Sequence, residues 1–338
     1  MTDATVGIIA NPAAGKDIRR LVSAASPVSD MAKIGIVRRA AIGAVEGGAT
    51  RILVADDRHA LARRAIEGSG LDVSVLDLPL FSSGRDSQRA AAEMAGSGVG
   101  AVIVLGGDGT HRDVAKGWRQ APIVALSTGT NNVFPRAGEA TVAGHAAGLV
   151  ASGAVAVAEV AQPAKVIDVE IDRIDGSRDH DLSLVDVALT TSSFTGSRAV
   201  WDVASLRSLV TVIAEPASVG LSSIAASLAP TGRDEPGGVA LCFAPGGDEP
   251  GGVRVLARVR CPIAPGLYTD VDVVKHRRLG PDEVVEMVGP GALSFDGERD
   301  VVMMTGERAR LRVRHDGPRV IDVAQAMMMG GPGRMSDG

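Results

Sequence analysis

The sequence predicts an α/β protein, with an N-terminal parallel-sheet, Rossmann-like domain followed by a β-rich, sandwich-like domain. Three observations predict it. Over residues 1–155 short apolar runs alternate with segments of helical spacing, the pattern of βαβ units. From Lys165 on, short β-like runs alternate with turns such as Pro236-Gly237-Gly238 and Pro250-Gly251-Gly252. The chain has 338 residues, 45% of them hydrophobic, which suffices for two domains with cores.

The elements follow in order. Residues 6–10 form an apolar strand that ends at the turning pair Asn11-Pro12, and Asp17 is placed to cap a helix through Ala25. Residues 31–45 have helical spacing, with Ile34, Val37, Ala41 and Val45 on one face. Strands are expected at 51–55 and 73–78, and helices at 58–67 and 87–95, each helix closed by glycines. Residues 101–105 and 122–126 are wholly apolar, as in strands buried on both faces. A short helix runs from the glycine-rich turn after Leu105 to Lys116, and another spans 139–150. In the second domain, residues 156–325, strands are expected at 166–171, 182–190, 239–244, 253–259, 268–274, 284–288, 301–304 and 309–313. Helical insertions are expected at 198–209 and 222–228, and residues 326–338 read as a loose tail.

Composition excludes some functions. The net charge of -5 and the 2% aromatic content offer neither the charge nor the stacking surfaces of a nucleic-acid binder. No stretch is long and apolar enough for a membrane span, and no signal peptide is evident, so a cytoplasmic location is expected. Cys242 and Cys261 form no metal-binding pair and read as reduced thiols.

Three segments carry candidate chemistry, each at the carboxyl end of a predicted parallel strand, where such sheets bind ligands. Gly106-Gly107-Asp108-Gly109-Thr110 follows a buried strand and opens a helix. Its glycines let backbone amides approach phosphate oxygens. Asp108 among those amides suits Mg²⁺ binding or proton acceptance from an attacking hydroxyl. The plainer reading is a strand-to-helix turn capped by Asp108. Asn11 through Asp17 includes Gly15 and Lys16, and Lys16 could neutralise phosphate; it is not a P-loop. Its plainer reading is an ordinary βα loop. Residues 127–135 include Thr128, Gly129, Thr130, Asn131 and Asn132, small groups able to read ribose and phosphate, or an Asx-capped turn. That all three fall on one sheet edge favours a shared nucleotide site.

These motifs, NPxxGK, GGDGT and GTxN, resemble the superfamily of NAD kinases and diacylglycerol or sphingosine kinases. Residues 11–20, 185–202 and 220–228 are similar to its ATP-NAD kinase-like branch, acetoin-catabolism protein X. The resemblance implies an active site in the cleft between the domains. It implies ATP as substrate with Mg²⁺, Asp108 as general base for a ribose hydroxyl of NAD, and Asn131 and Asn132 beside the nucleotide. It also implies a homodimer or homotetramer. NAD kinases carry an Asn-acid pair at the start of the β-rich domain; here Val185-Asp186 keeps only the acid, and Asp186 is its candidate. Phe295-Asp296-Gly297-Glu298 resembles the DGE turn of the lipid kinases, and Asp-Gly is equally a hairpin turn. Three functions follow. One is a kinase moving the γ-phosphoryl of MgATP to NAD. Another is a same-fold kinase acting on a lipid or small alcohol. The third is a nucleotide-binding accessory or sensor protein without turnover.

Overall fold

A computed structural model of the chain describes residues 4–13, 28–127, 132–191, 203–244 and 254–330. The first domain alternates β1 (Thr5–Ala10), α1 (Asp30–Glu46), β2 (Arg51–Val54), α2 (Leu61–Ile66), β3 (Val73–Val75), α3 (Gly84–Gly96), β4 (Ala101–Gly106), α4 (Asp108–Gly117), β5 (Pro122–Ser127) and α5 (Ala140–Ala151). A single turn, α6 (Val157–Val160), leads to β6 (Ala161–Pro163). The β-rich part holds β7 (Val166–Asp172), β8 (Arg178–Ser183), β9 (Asp186–Thr190), β10 (Leu206–Thr211), α7 (Ser222–Ala226) and β11 (Gly238–Phe243). It continues with β12 (Ala257–Ala264), β13 (Leu267–Leu279), β14 (Val284–Val288), β15 (Gly291–Phe295), β16 (Glu298–Met303) and β17 (Arg308–Arg314). The chain then returns to the first domain with β18 (Arg319–Ile321) and α8 (Val323–Gly330).

The first sheet has the order β3-β2-β1-β4-β5-β18-β6. Its strands β1 to β5 and β18 run parallel, and β6 pairs antiparallel on β18. Period-two alternation divides its side chains between two cores. Ala101, Ile103 and Leu105 of β4 face α1, α2, α5 and α8, whereas Val102 and Val104 face α3 and α4. The second of these cores is continuous with the β-rich domain, through Val169, Leu184, Val187 and Leu311. That domain pairs a seven-stranded sheet, β12-β13-β11-β10-β9-β15-β16, with a four-stranded one, β14-β17-β7-β8. The sandwich-like, antiparallel expectation therefore holds.

Some boundaries differ from expectation, each for a physical reason. The helix expected over 198–209 is, in its described part, a 3₁₀ turn at Val203–Ser205 followed by strand β10. Leu206, Leu209 and Val210 are buried because β10 lies between β9 and β11, and ladder pairing overrides helical spacing. The strand expected over 182–190 is two strands, because residues 183–186 turn around a buried carboxylate described below. Residues 326–330 are not a loose tail: they end α8, whose Ala326 is fully buried. The helix proposed through Ala25 lies outside the described residues.

Candidate functional site

In the sheet order, β2 lies to one side of β1 and β4 to the other, so the order in which strands are laid down reverses between the parallel β1 and β4. Such a reversal opens a crevice above the carboxyl ends of the two strands. Asn11 leaves β1 at this point. Its amide donates to the Leu105 carbonyl at 3.1 Å, and its Nδ2 donates to Thr110 Oγ1 at 2.9 Å. The Thr110 side chain lies over Gly106: a Cβ there would sit 2.5 Å from Thr110 Cβ. Gly107 is the N-cap of α4, and a Cβ on it would come 2.9 Å from Asn132 Oδ1. Gly106 is thus required by close approach, and a side chain at Gly107 would displace Asn132, at the point where the first amides of a helix are exposed.

Asp108 is the first residue of α4, where the helix dipole favours its charge. Its Oδ1 accepts from the Phe134 amide at 2.8 Å and the Val133 amide at 3.0 Å, and its Oδ2 lies 3.1 Å from the Val133 amide. The segment after β5 is therefore held on Asp108. It also pairs with β5 itself, through Ser127 N to Arg136 O at 3.0 Å and Arg136 N to Ala125 O at 3.3 Å. Asn132 Nδ2 donates to Ser127 Oγ at 2.8 Å. Side chains and amides thus join the described parts of the three sequence segments into one edge.

The β-rich domain closes on this edge. Arg112, on α4 just beyond Thr110, is buried; its Nε donates to the Leu182 carbonyl at 2.7 Å and its Nη2 to Asp181 Oδ2 at 2.7 Å. Its guanidinium stacks 4.5 Å from the Phe295 ring centroid. Next to Phe295, the Asp296-Gly297 turn has φ of 52° and 81°, the left-handed pair of a tight hairpin. The buried Asp296 carboxylate accepts from the amides of Val185 at 2.8 Å and Leu184 at 3.1 Å and lies 2.5 Å from Ser183 Oγ. Burial pushes this carboxyl above its ordinary range, against the pull of Arg112 and the amides. Glu298 follows the turn, and its Oε1 lies 3.9 Å from where a Gly109 Cβ would be. On the other side of the crevice, the fully buried Lys33 places its ammonium 2.5 Å from the Pro12 carbonyl.

The chain is 38% identical to acetoin catabolism protein X of Cupriavidus necator, over 96% of this chain and 92% of that protein. It belongs to the acetoin catabolism protein X family. Within it, residues 6–154 match the ATP-NAD kinase N-terminal domain and residues 165–316 the Acetoin catabolism protein X C-terminal domain. The fold is that of the NAD kinases: yeast NADH kinase, solved with NADH, superposes with a TM-score of 0.55 at 12% identity, covering 96% of this chain and 85% of that one.

In this family member, Asn11, Gly106, Gly107, Asp108, Gly109, Thr110 and Asn132 stand together at the sheet edge. Gly15, Lys16, Thr128, Gly129, Thr130 and Asn131 lie outside the described residues. Asp186 is buried at the start of β9, and its carbonyl accepts from the Asp296 amide at 2.9 Å. Asp296 sits in a hairpin turn, the plainer reading of its motif, and its buried carboxylate also anchors residues 183–185. His111, which follows the motif, is fully buried beside Phe134, with ring centroids 5.4 Å apart. Sequence reasoning did not single out Lys33, Arg112 or Arg233, the last of which donates from Nη1 to the Phe134 carbonyl at 2.6 Å. Arg112 could have been found from its place two residues beyond the motif; the other two carry no local signal. Among the described residues no helix is long and apolar enough to cross a membrane.

Proposed function

We propose that the protein is a nucleotide-dependent phosphotransferase of the NAD kinase type, moving the γ-phosphoryl of MgATP to the 2′-hydroxyl of NAD. The observation that carries this reading is the joining of glycine- and asparagine-rich segments at the β1–β4 crevice around one fixed carboxylate, Asp108. Phosphoryl transfer asks a protein for positioning and charge stabilisation more than for covalent chemistry. In this account the amides at Gly106–Thr110 and Lys16 hold phosphate oxygens, Asn11, Asn132 and residues 128–131 hold the nucleotide, and Asp108 takes the acceptor's proton. Asp186 completes the acceptor side from the β-rich domain. Among the described residues no three His, Cys, Asp or Glu side chains gather as a metal-ligand group. The proposal has Mg²⁺ arrive on the ATP phosphates.

One observation favours a second reading. The Asp108 carboxylate already serves as a latch for the Val133 and Phe134 amides, which would suit a nucleotide-binding protein without turnover. Assay of NADP formation from NAD, Mg²⁺ and ATP separates the two. The proposal expects NADP from the wild type and a loss of about a hundredfold or more in Asp108→Asn, the scale of one general base. Asparagine can keep its Oδ1 on both amides, so the variant tests charge more than fold. Wild-type protein that binds ATP but forms no NADP would leave another acceptor or the second reading.

A further inference from the structure

The peptides at Val133 and Phe134 are held from both domains at once. Their amides serve Asp108 of the α/β domain. Their carbonyls accept from Arg233, which belongs to the β-rich domain: Nη1 donates to Phe134 O at 2.6 Å, and Nη2 donates to Val133 O. Val133 and Phe134 are buried, so without Arg233 two carbonyls would lose their partners where water enters poorly. A planar guanidinium suits this task because its two Nη groups can serve adjacent carbonyls together.

Arg233 is itself aimed by its surroundings. Its Nε lies 3.2 Å from Glu215 Oε1. The residues on either side of it are pinned by the buried Lys165, whose ammonium reaches Gly232 O at 2.6 Å, Gly237 O at 3.2 Å and Thr231 Oγ1 at 3.5 Å. Reciprocal backbone bonds between Ala214 and Thr231, 2.9 and 3.1 Å, tie this loop to the end of β10. A connected path thus runs from Lys165 through Arg233 and two peptide units to the Asp108 carboxylate.

We infer that Arg233 is a positioning residue for Asp108, through which the β-rich domain sets the place of a carboxylate in the other domain. Its catalytic consequence rests on the phosphotransferase reading; its structural consequence does not. The test uses the full chain with Arg233→Ala, Arg233→Lys, Asp108→Asn and the Ala/Asn double variant. Amide hydrogen exchange at Val133 and Phe134 should quicken at least about tenfold in Arg233→Ala, while β1 and β4 keep their protection. The kcat per folded molecule should fall about tenfold or more, with KM for ATP within about twofold. Arg233→Lys should recover part of both, and Arg233→Ala should add little in the Asp108→Asn background. Unchanged exchange would overturn the inference, as would a loss additive with Asp108→Asn or one confined to the KM for ATP. If the wild type turns nothing over, the phosphotransferase reading fails, and the exchange measurement alone decides whether Arg233 holds the segment.

Discussion

His111 shows what one residue beside the site contributes to the fold. Its Nδ1 lies 2.8 Å from the Gly107 carbonyl, and its Nε2 makes no hydrogen bond of normal geometry. Burial lowers the imidazole pKa from 6.5 to about 4, although the Gly107 and Val104 carbonyls oppose the shift. The unfolded chain therefore binds more protons than the folded one between these two values. Stability from this group is complete above pH 6.5 and falls as pH drops toward 4, by roughly 3 kcal/mol in all. His111→Asn keeps a donor for Gly107 O and cannot titrate. Urea unfolding from pH 7 to 4 should show a shallower loss in the variant than in the wild type, whatever its starting stability. Equal slopes would show that the imidazole is not held neutral. The residue's neutrality was not legible in the sequence, where its position after the motif fits a helix surface equally well. Phe134, brought in from beyond β5, closes over it.

At the scale of elements, the helix pair α1 and α5 is the clearest case of packing dictated by small residues. A Cβ on Gly144 would lie 2.0 Å from the Ala40 carbonyl oxygen, and one on Gly43 2.0 Å from that of Thr141. Gly47 and Gly148 repeat the arrangement one turn on, at 2.2 and 2.1 Å from His145 O and Ala44 O. Two backbones in contact leave no side chain free to yield. Gly144→Ala should cost about 2 kcal/mol or more by forcing the helices apart, whereas Gly96→Ala, with open space around it, should be neutral to slightly stabilising. Thermal unfolding of both variants checks the contrast, and similar melting temperatures would contradict it. Both helices were expected from the sequence, α1 from the apolar spacing of Ile34, Val37, Ala41 and Val45. Strands β10 and β15 were not. β10 pairs with β9 and β11, and β15 with β9, strands well away in the sequence, and pairing rather than propensity makes them strands. The break between β8 and β9 has the same origin, since Asp296, far along the sequence, supplies the acceptor around which residues 183–186 turn.

At the scale of the molecule, the two domains are not separate beads on one chain. β18 pairs parallel with β5 and antiparallel with β6, so the last strand completes the first sheet, and α8 covers α5. Arg112 and Arg233 then join the domains at the same edge where Asn11, Asp108 and Thr110 meet. The sequence motifs revealed the half of this site carried by the parallel sheet, because glycine, asparagine and aspartate there follow strands in register. The half carried by the β-rich domain rests on Arg233, in the loop before β11, which only the fold brings near. If this edge is one nucleotide site, titration calorimetry of MgATP on the full chain will register it. Thr110→Val keeps the shape over Gly106 and removes the hydroxyl that accepts from Asn11. The account predicts saturable binding to the wild type, weakened about tenfold in Thr110→Val, the scale of one lost polar contact to a charged ligand. MgATP that binds both proteins equally, or neither, would contradict it.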